Sequence, residues 1–332
     1  MSGGADAARG EARGQAHGAG ARADGRELLG GVMVPLVTPM SRPGVPSAEG
    51  ADGLLRALAA AGARGLMLFG SNGEGPLLET GPGLGTFAAA VDARWRELTG
   101  GGPVLVNVTA AGTGEALARA EAVLPARPDA LVLSPPIYYH HRDDEIVAHY
   151  AAFGGLGVPV VAYNAPRYSC PLSPSLIDHL AALPHLVGMK DSSGDPGLLA
   201  HAVAAAGRFP GFGLSQGAEP RLLEGLRQGA HGIVPGVANL APALAVGLFA
   251  AHRAGDGEAA ERAQRTLGSI LALHGVRPGV PAVKSVLAAR GLCPPHVAAP
   301  FAPCTPAERD ALLALLAPWS DQLITAGGPG AP

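Results

Sequence analysis

The chain alternates short apolar segments with amphipathic helical stretches from about residue 30 to residue 255. The apolar residues within each segment are continuous, which is typical of strands buried on both faces of a parallel sheet. Eight strand-then-helix units predict a (β/α)8 TIM barrel spanning 29–255. The eight apolar segments lie at 30–39, 65–70, 103–108, 130–136, 158–164, 185–190, 211–215 and 231–236.

An open doubly wound sheet is the alternative fold for this alternation. It usually binds a nucleotide through a glycine-rich turn after its first strand. Here that position reads TPMSRPGVPS, which contains no GxGxxG, and GxxxxGK[ST] occurs nowhere in the chain. We therefore favour the barrel.

The two ends of the chain differ from the barrel region. Residues 1–28 are rich in Gly, Ala and Arg without apolar periodicity, which predicts a disordered tail. Amphipathic stretches at about 257–274, 279–290 and 306–317 predict a C-terminal helical appendage over 256–320, followed by a flexible tail at 321–332.

Composition excludes several classes of function. The 332 residues carry a formal net charge of −3 without basic blocks, which argues against nucleic-acid binding. No apolar run approaches the ~18 residues that a membrane helix needs. The three cysteines, Cys170, Cys293 and Cys304, form no CxxC pair. We therefore expect a cytoplasmic protein without a disulfide framework, a zinc site or a membrane partner.

Candidate chemistry lies where the predicted strands end, because barrel enzymes place their active sites at that face. Polar residues follow four strands and include an amine, phenols and a hydroxyl, but no metal cluster. We therefore expect neither a metal nor a cofactor. The segments are GSNGE at 70–74, SPPIYY at 134–139, YNAP at 163–166 and KDSSG at 190–194.

Lys190 stands out because the chain contains only two lysines, Lys190 and Lys284, beside 22 arginines. Lys190 closes an apolar strand, so its amine should lie near the barrel mouth, where burial favours the uncharged form. A free amine is the nucleophile that forms a Schiff base with a carbonyl. The alternative is a lysine that extends to solvent or pairs with Asp191.

Other strand-end residues have both a functional and a structural interpretation. Tyr163 is either a proton shuttle or rim packing. The backbone N–H groups of Ser71 and Asn72 either bind a carboxylate or belong to an ordinary turn.

Three further polar features are assigned structural roles. Glu74 is expected to be a favourable anion in the first turn of the next helix. His140 and His141 are expected to face solvent, because a third metal ligand is missing. Lys284 is expected to pack on a C-terminal helix with its amine extended to solvent, in a structural or interface role.

These motifs together resemble the dihydrodipicolinate synthase / N-acetylneuraminate lyase family of class I aldolases. The resemblance runs from about residue 30 to residue 317. It depends on the order and spacing of several motifs that are modest alone: GSNGE at 70–74, PIYY at 136–139, YNAP at 163–166, GMKDSSGD at 188–195 and GAHGIVPGVAN at 229–239.

The resemblance implies a role for each catalytic candidate. Lys190 would form an imine with the keto carbon of pyruvate or another 2-oxo acid, and Tyr163 would shuttle the proton. Ser71 would link the tyrosines of a proton relay. Tyr138 would complete that relay, and in many family members this tyrosine serves the neighbouring subunit's site.

The resemblance also implies the binding residues and the assembly. The amides of Ser71 and Asn72 would hold the substrate carboxylate, and Val234 would line the pocket. Family members are commonly homotetramers, so we expect a homo-oligomer, either a tetramer or a dimer.

One departure from the family pattern concerns the second substrate. Dihydrodipicolinate synthases carry an arginine two residues after the proline of the YNxP motif, where this chain has Tyr168, with Arg167 one residue earlier. The Thr-Gly pair that usually follows is replaced by Ser169-Cys170. The GSNGE and GMKDS segments are closer to those of 4-hydroxy-2-oxoglutarate aldolase-like members.

We therefore expect a metal-independent aldolase or lyase that acts on a 2-oxo acid and forms or uses pyruvate. The alternatives within the family are 4-hydroxy-tetrahydrodipicolinate synthase, which joins pyruvate and aspartate semialdehyde, and a sugar-acid aldolase or dehydratase. Outside this chemistry, the alternatives are a barrel that senses 2-oxo acids and a metal-dependent aldolase.

Overall fold

The computed structural model describes residues 24–326, in which eight parallel strands form a closed barrel. Each strand pairs with its neighbours in the sequence, and the last pairs with the first. The predicted barrel and all eight of its strands are confirmed. The strands are β1 Gly31–Pro35, β2 Gly65–Leu68, β3 Val104–Asn107, β4 Ala130–Leu133, β5 Val160–Asn164, β6 Leu186–Asp191, β7 Gly213–Gln216 and β8 Gly232–Ile233.

A helix follows each strand and covers the outside of the barrel. Helix starts agree with local sequence, since Ser173 and Asp195 accept hydrogen bonds from first-turn N–H groups of their helices. The eight helices are α1 Asp52–Ala60, α2 Pro82–Thr99, α3 Thr113–Val123, α4 Asp143–Ala151, α5 Pro174–Ala181, α6 Pro196–Arg208, α7 Leu222–Gln228 and α8 Pro242–Ala254.

The C-terminal appendage is also confirmed, although its first stretch is divided. Residues 257–274 form two helices rather than one, and the others begin close to the predicted positions. The four helices are α9 Gly257–Ile270, α10 Leu273–Val276, α11 Val280–Ala289 and α12 Pro306–Leu316. A small hairpin of Met40–Arg42 with Val45–Pro46 follows β1 and was not predicted. Within residues 24–326, no helix is both long and apolar enough to cross a membrane.

The predicted tails were too long where they meet the folded chain. Residues Gly25–Leu28 form a helical turn, and the Gly25 N–H donates to the Gly211 carbonyl at 2.8 Å. At the other end, Arg290 donates to the Ile324 carbonyl at 2.6 Å, which holds residues 321–326 against the appendage. These backbone contacts are not visible in a hydropathy pattern. Residues 1–23 and 327–332 lie outside the described part of the chain.

The barrel interior is filled by inward-facing apolar side chains beneath the mouth. Alternate strand residues point inward, so this filled interior gives the mouth residues a rigid floor. Tyr163 and Val234 lie in the same cluster. The other members are Leu29, Met33, Met67, Leu105, Ala130, Val132, Val161, Ala165 and Val187.

We predict that Leu105→Ala lowers the free energy of unfolding by about 2–5 kcal/mol, because Leu105 is fully buried and truncation leaves a cavity. The matched control is Leu313→Ala, whose side chain is 37% exposed and whose truncation should cost about 0.5 kcal/mol or less. Urea denaturation followed by circular dichroism measures both. Equal midpoints for the two variants would contradict a packed barrel interior.

Candidate active site

Lys190 lies inside the barrel near the end of β6. Its Cα pairs with Tyr163 on β5 and with Ser215 on β7, and the residue is only 4% exposed. Its Nζ lies 4.4 Å from the centroid of the Tyr163 ring and 3.9 Å from Met67 Sδ. The prediction that the stem lies within the barrel is confirmed, and extension to solvent is excluded.

The alternative partner of Lys190, Asp191, is engaged elsewhere. Asp191 accepts hydrogen bonds from Asn164 Nδ2 at 2.7 Å and from Ser193 Oγ at 2.9 Å. Asn164 Oδ1 in turn accepts from the Leu172 N–H. Among residues 24–326, Lys190 forms no ion pair, so its amine remains available to a ligand.

Gly217 provides the room that the Lys190 side chain needs. A Cβ at Gly217 would lie 2.8 Å from Lys190 Cε and 2.3 Å from Ser192 Oγ. Real Cβ atoms do not approach other atoms so closely, so a larger residue would push Lys190 or Ser192 aside. The glycine after β7 is therefore part of the site, although the sequence analysis did not single it out.

Tyr163 is buried beside Lys190, and its hydroxyl lies 3.4 Å from Ser71 Oγ. Burial raises the pKa of the Tyr163 phenol. The positive charge of Lys190, with hydrogen bonds from Ser71, Ser192 and Lys190, outweighs burial and holds this pKa below its ordinary value. The phenol therefore releases its proton more easily than a free tyrosine does.

The loop after β2 contains Ser71 and Asn72, which lie beside the same space. Within the described chain, the N–H groups of Ser71 and Asn72 make no hydrogen bond, whereas the N–H of Gly73 donates to the Gly70 carbonyl. The loop folds back on Phe69, and a Cβ at Gly75 would lie 1.8 Å from the Phe69 carbonyl oxygen. This tight turn leaves two donors available to an anion.

Ser71, Asn72, Tyr163 and Gly217 line a cavity of about 610 Å³ at the barrel mouth, and Lys190 lies against two of these lining residues, Tyr163 and Gly217. Its volume suits a small metabolite, and its lining is rich in polar groups. The C-terminal appendage forms part of its wall through Leu271, His274 and Val280. The barrel contributes Ser71, Asn72, Tyr163, Arg167, Tyr168, Ser192, Glu219, Arg221 and Val234, among others.

Glu219 is a cavity residue that the sequence analysis missed. It follows β7 and accepts a hydrogen bond from the Val237 N–H at 2.6 Å. Burial raises the pKa of Glu219 above its ordinary value, against the opposing effects of that hydrogen bond and of the Lys190 charge. Its position three residues after β7 was the available signal, because barrel enzymes place functional groups after strand ends.

In the single chain, Tyr138 does not lie with the other predicted catalytic residues, Lys190, Tyr163 and Ser71. Its side chain is 84% exposed and stacks edge-on against Tyr139, with ring centroids 4.8 Å apart. Its φ of 89° is unusual for a non-glycine residue. Ser71 and Tyr163 therefore meet in this chain, whereas Tyr138 points outward.

The two adjacent histidines behave differently. His140 is exposed, as expected, and its Nδ1 lies 3.8 Å from Cys170 Sγ. His141 is half-buried, and its N–H donates to the same sulfur. The prediction that both face solvent is therefore wrong for His141, because the loop folds onto Cys170.

The positions of Glu74 and Lys284 contradict the roles that were predicted for both residues. Glu74 is not a first-turn anion of α2, since it lies in the loop with a φ of 56° and is 2% exposed. Lys284 does not extend to solvent, since it is fully buried on α11 and pairs with Glu74 at 2.5 Å. The two residues lie 210 positions apart, so local pattern could not pair them.

The match to known proteins covers nearly the whole folded region. The model of the dihydrodipicolinate synthetase family matches residues 28–318. The chain belongs to this family. It is therefore a lyase of the dihydrodipicolinate synthetase family, and the predicted resemblance is confirmed.

Individual relatives agree with this assignment at modest identity. A DapA-like lyase of Halobacterium salinarum is 33% identical over 291 residues, covering 87% of this chain and 93% of its own. The 4-hydroxy-tetrahydrodipicolinate synthase of Hyphomonas neptunium is 31% identical, covering 87% and 98%. The structure of dihydrodipicolinate synthase from Bacteroides thetaiotaomicron superimposes with a TM-score of 0.78 at 29% identity, covering 87% and 98%.

We predict that Lys190→Met raises the pKa of Tyr163 above its value in the unmodified protein, because the charge and the hydrogen bond of Lys190 both lower this pKa and both are lost. Ultraviolet titration of tyrosinate measures this, and the same titration in a Tyr163→Phe background identifies the signal. The unmodified protein should ionise Tyr163 at lower pH than the variant. An identical titration of Tyr163 in both proteins would contradict electrostatic coupling to Lys190.

Proposed function

We propose that the protein is a Schiff-base aldolase that cleaves or forms a 4-hydroxy-2-oxo acid, with pyruvate as one product or substrate. The observation that carries the proposal is the buried amine of Lys190, which forms no ion pair among the described residues and lies 4.4 Å from the Tyr163 ring. An amine without an ionic partner, held beside a proton-transferring group, is the arrangement that imine chemistry requires.

The chemistry begins when the uncharged Lys190 amine attacks the keto carbon of the substrate. A carbinolamine forms, and Tyr163 donates a proton to its hydroxyl, which leaves as water. A protonated imine that withdraws electrons and the Tyr163 phenolate remain. In the cleavage direction, Tyr163 as the phenolate takes the proton of the 4-hydroxyl, the C3–C4 bond breaks, and an aldehyde leaves. The electron pair of the broken C3–C4 bond forms an enamine, whose C3 takes a proton from Tyr163. Water then adds to the imine carbon, gives a proton back to Tyr163 and releases pyruvate from Lys190.

The β2 loop supplies the binding site for the substrate carboxylate in this proposal. Ser71 and Asn72 line the cavity, and their N–H groups make no hydrogen bond within the described chain, so both are free to donate to a substrate carboxylate. The Ser71 hydroxyl, 3.4 Å from the Tyr163 hydroxyl, carries a proton between the phenol and the reaction centre. Val234 is buried and forms the apolar side of the pocket.

Arg167 favours a substrate with a second carboxylate. It lines the cavity without an ion pair among residues 24–326, whereas Arg221 in the same wall is paired with Glu224 at 2.5 Å. A dicarboxylic 4-hydroxy-2-oxo acid, such as 4-hydroxy-2-oxoglutarate, would place its distal carboxylate near this guanidinium.

The second candidate is 4-hydroxy-tetrahydrodipicolinate synthase, which the names of several relatives favour. The family's semialdehyde-binding arginine is replaced here by Tyr168, which is 53% exposed. The same Lys190 chemistry serves both candidates, so they differ only in the aldehyde that reaches the imine. We rank the cleavage of a dicarboxylic substrate first because Arg167 is one position away.

The exposed tyrosines support a homo-oligomer. Tyr138, Tyr139 and Tyr168 are 84%, 66% and 53% exposed, and an isolated chain rarely leaves three aromatic rings in water at one edge. The antiparallel bridge of Ile137 with Ser169 brings their segments together. We propose that a second copy covers them in a dimer or tetramer and receives Tyr138. The free cysteines are consistent with the cytoplasm.

The direct test of the function is reduction of the imine. The protein is incubated with pyruvate and borohydride, digested, and analysed by mass spectrometry. We expect an adduct on the Lys190 peptide and none in Lys190→Arg, since a guanidinium keeps the charge but forms no imine. Absence of the adduct from the unmodified protein would sink the proposal. An adduct without turnover of any 2-oxo acid would favour a sensor.

We predict that Arg167→Gln raises KM for 4-hydroxy-2-oxoglutarate by about tenfold or more, because a charge-assisted hydrogen bond to the distal carboxylate is lost. Trapping of pyruvate, which lacks that carboxylate, should be unchanged. Arg221→Gln is the matched control, since Arg221 lines the same cavity but is already paired. Equal KM values for the Arg167→Gln variant and the unmodified enzyme would remove the case for a dicarboxylic substrate.

A further inference from the structure

The Glu74–Lys284 ion pair is buried between the β2 loop and the appendage. Lys284 Nζ lies 2.5 Å from Glu74 Oε1, and both side chains are fully inaccessible to solvent. The remaining polar atoms are also engaged, because Lys284 Nζ donates to the His296 carbonyl and Glu74 Oε2 accepts from the Ala298 N–H, each at 2.7 Å. Three separate segments of the chain therefore meet at one point.

Glu74 belongs to the same tight turn that offers the two available N–H groups. Its own N–H donates to the Ser71 carbonyl at 3.3 Å. Its φ of 56° is a backbone conformation that residues other than glycine rarely adopt. The ion pair supplies a reason for a charged residue here, because a side chain anchored in the interior offsets the cost of this backbone conformation.

Lys284 belongs to the appendage, part of which lines the cavity. It lies on α11, whose first residue, Val280, lines the cavity together with Gly279 and Pro278. The Ser71–Asn72 turn and the appendage are thus connected by one buried ion pair. A change in the length or charge of either side chain would move the Ser71 and Asn72 N–H groups relative to Lys190.

Stability alone does not account for this pair. Replacing a buried ion pair by uncharged residues of similar size is often neutral or stabilising, whereas removal of one partner is strongly destabilising. Lys284 is also unable to act as a nucleophile or to bind a ligand, since its amine is paired with Glu74 and inaccessible to solvent. Such a pair can instead provide a rigid link between two parts of the cavity wall without raising the free energy of unfolding.

We propose that Glu74 and Lys284 are positioning residues, which fix the Ser71–Asn72 turn at the height where it binds the substrate carboxylate. The inference rests on the proposed imine chemistry. It adds that the C-terminal appendage takes part in substrate binding through an ion pair that never touches the substrate. Its consequence is a change in substrate affinity when the pair is altered in a protein that remains folded.

The test compares the concentration of pyruvate that gives half-maximal trapping on Lys190 in three variants. The double variant Glu74→Gln with Lys284→Met removes both charges at similar volume. Glu74→Asp keeps the charge but shortens the side chain, and aspartate tolerates the left-handed backbone. Leu176→Ala, a fully buried site on α5, is the control for general destabilisation.

We expect the double variant to keep the unfolding temperature of the unmodified protein and to need about tenfold to a hundredfold more pyruvate, because small displacements of a binding group are costly. Glu74→Asp should shift in the same direction, and Leu176→Ala should lower the unfolding temperature alone. An unchanged pyruvate concentration for half-maximal trapping in folded variants would overturn the inference. The proposed function would still stand. If the double variant does not fold, Glu74→Asp decides. Absence of trapping in the unmodified protein would overturn both.

Discussion

The contact between Lys190 and the Tyr163 ring is the interaction on which the rest of the site depends. It requires two neighbouring parallel strands, β5 and β6, to end with these residues side by side, and the closed barrel fixes that pairing. The packed interior leaves the amine no space deeper in the barrel. The absence of a side chain at Gly217 leaves space for it next to β7. Burial without an acidic partner then leaves the amine available for chemistry.

Separate structural elements around this contact contribute different groups to the site. The β2 loop supplies N–H donors, the wall near Arg167 supplies a cation, and the appendage closes one side of the cavity. The Glu74–Lys284 pair joins the first of these elements to the last. Both lysines of the chain therefore have a specific use, one as the proposed nucleophile and the other as an internal anchor.

Sequence pattern alone predicted the barrel because strands buried on both faces and amphipathic helices leave a clear signal. It also placed Lys190, Tyr163 and Ser71 near one another, because strand ends in a barrel converge on one face, and their catalytic roles stay predictions. It failed for Glu74 and Lys284, whose pairing depends on contact across 210 residues. It also missed Glu219, whose significance comes from the Val237 N–H and the nearby Lys190 charge rather than from any local motif.

The measurement that tests the central claim most directly is exchange of the C3 hydrogens of pyruvate with deuterium oxide, followed by NMR. Reversible formation of the enamine on Lys190 exchanges these hydrogens without a second substrate. The unmodified protein should catalyse exchange, Lys190→Arg should not, and Tyr163→Phe should be slower by about 10²–10⁴-fold. Exchange that persists in Lys190→Arg would contradict the assignment of this amine as the nucleophile.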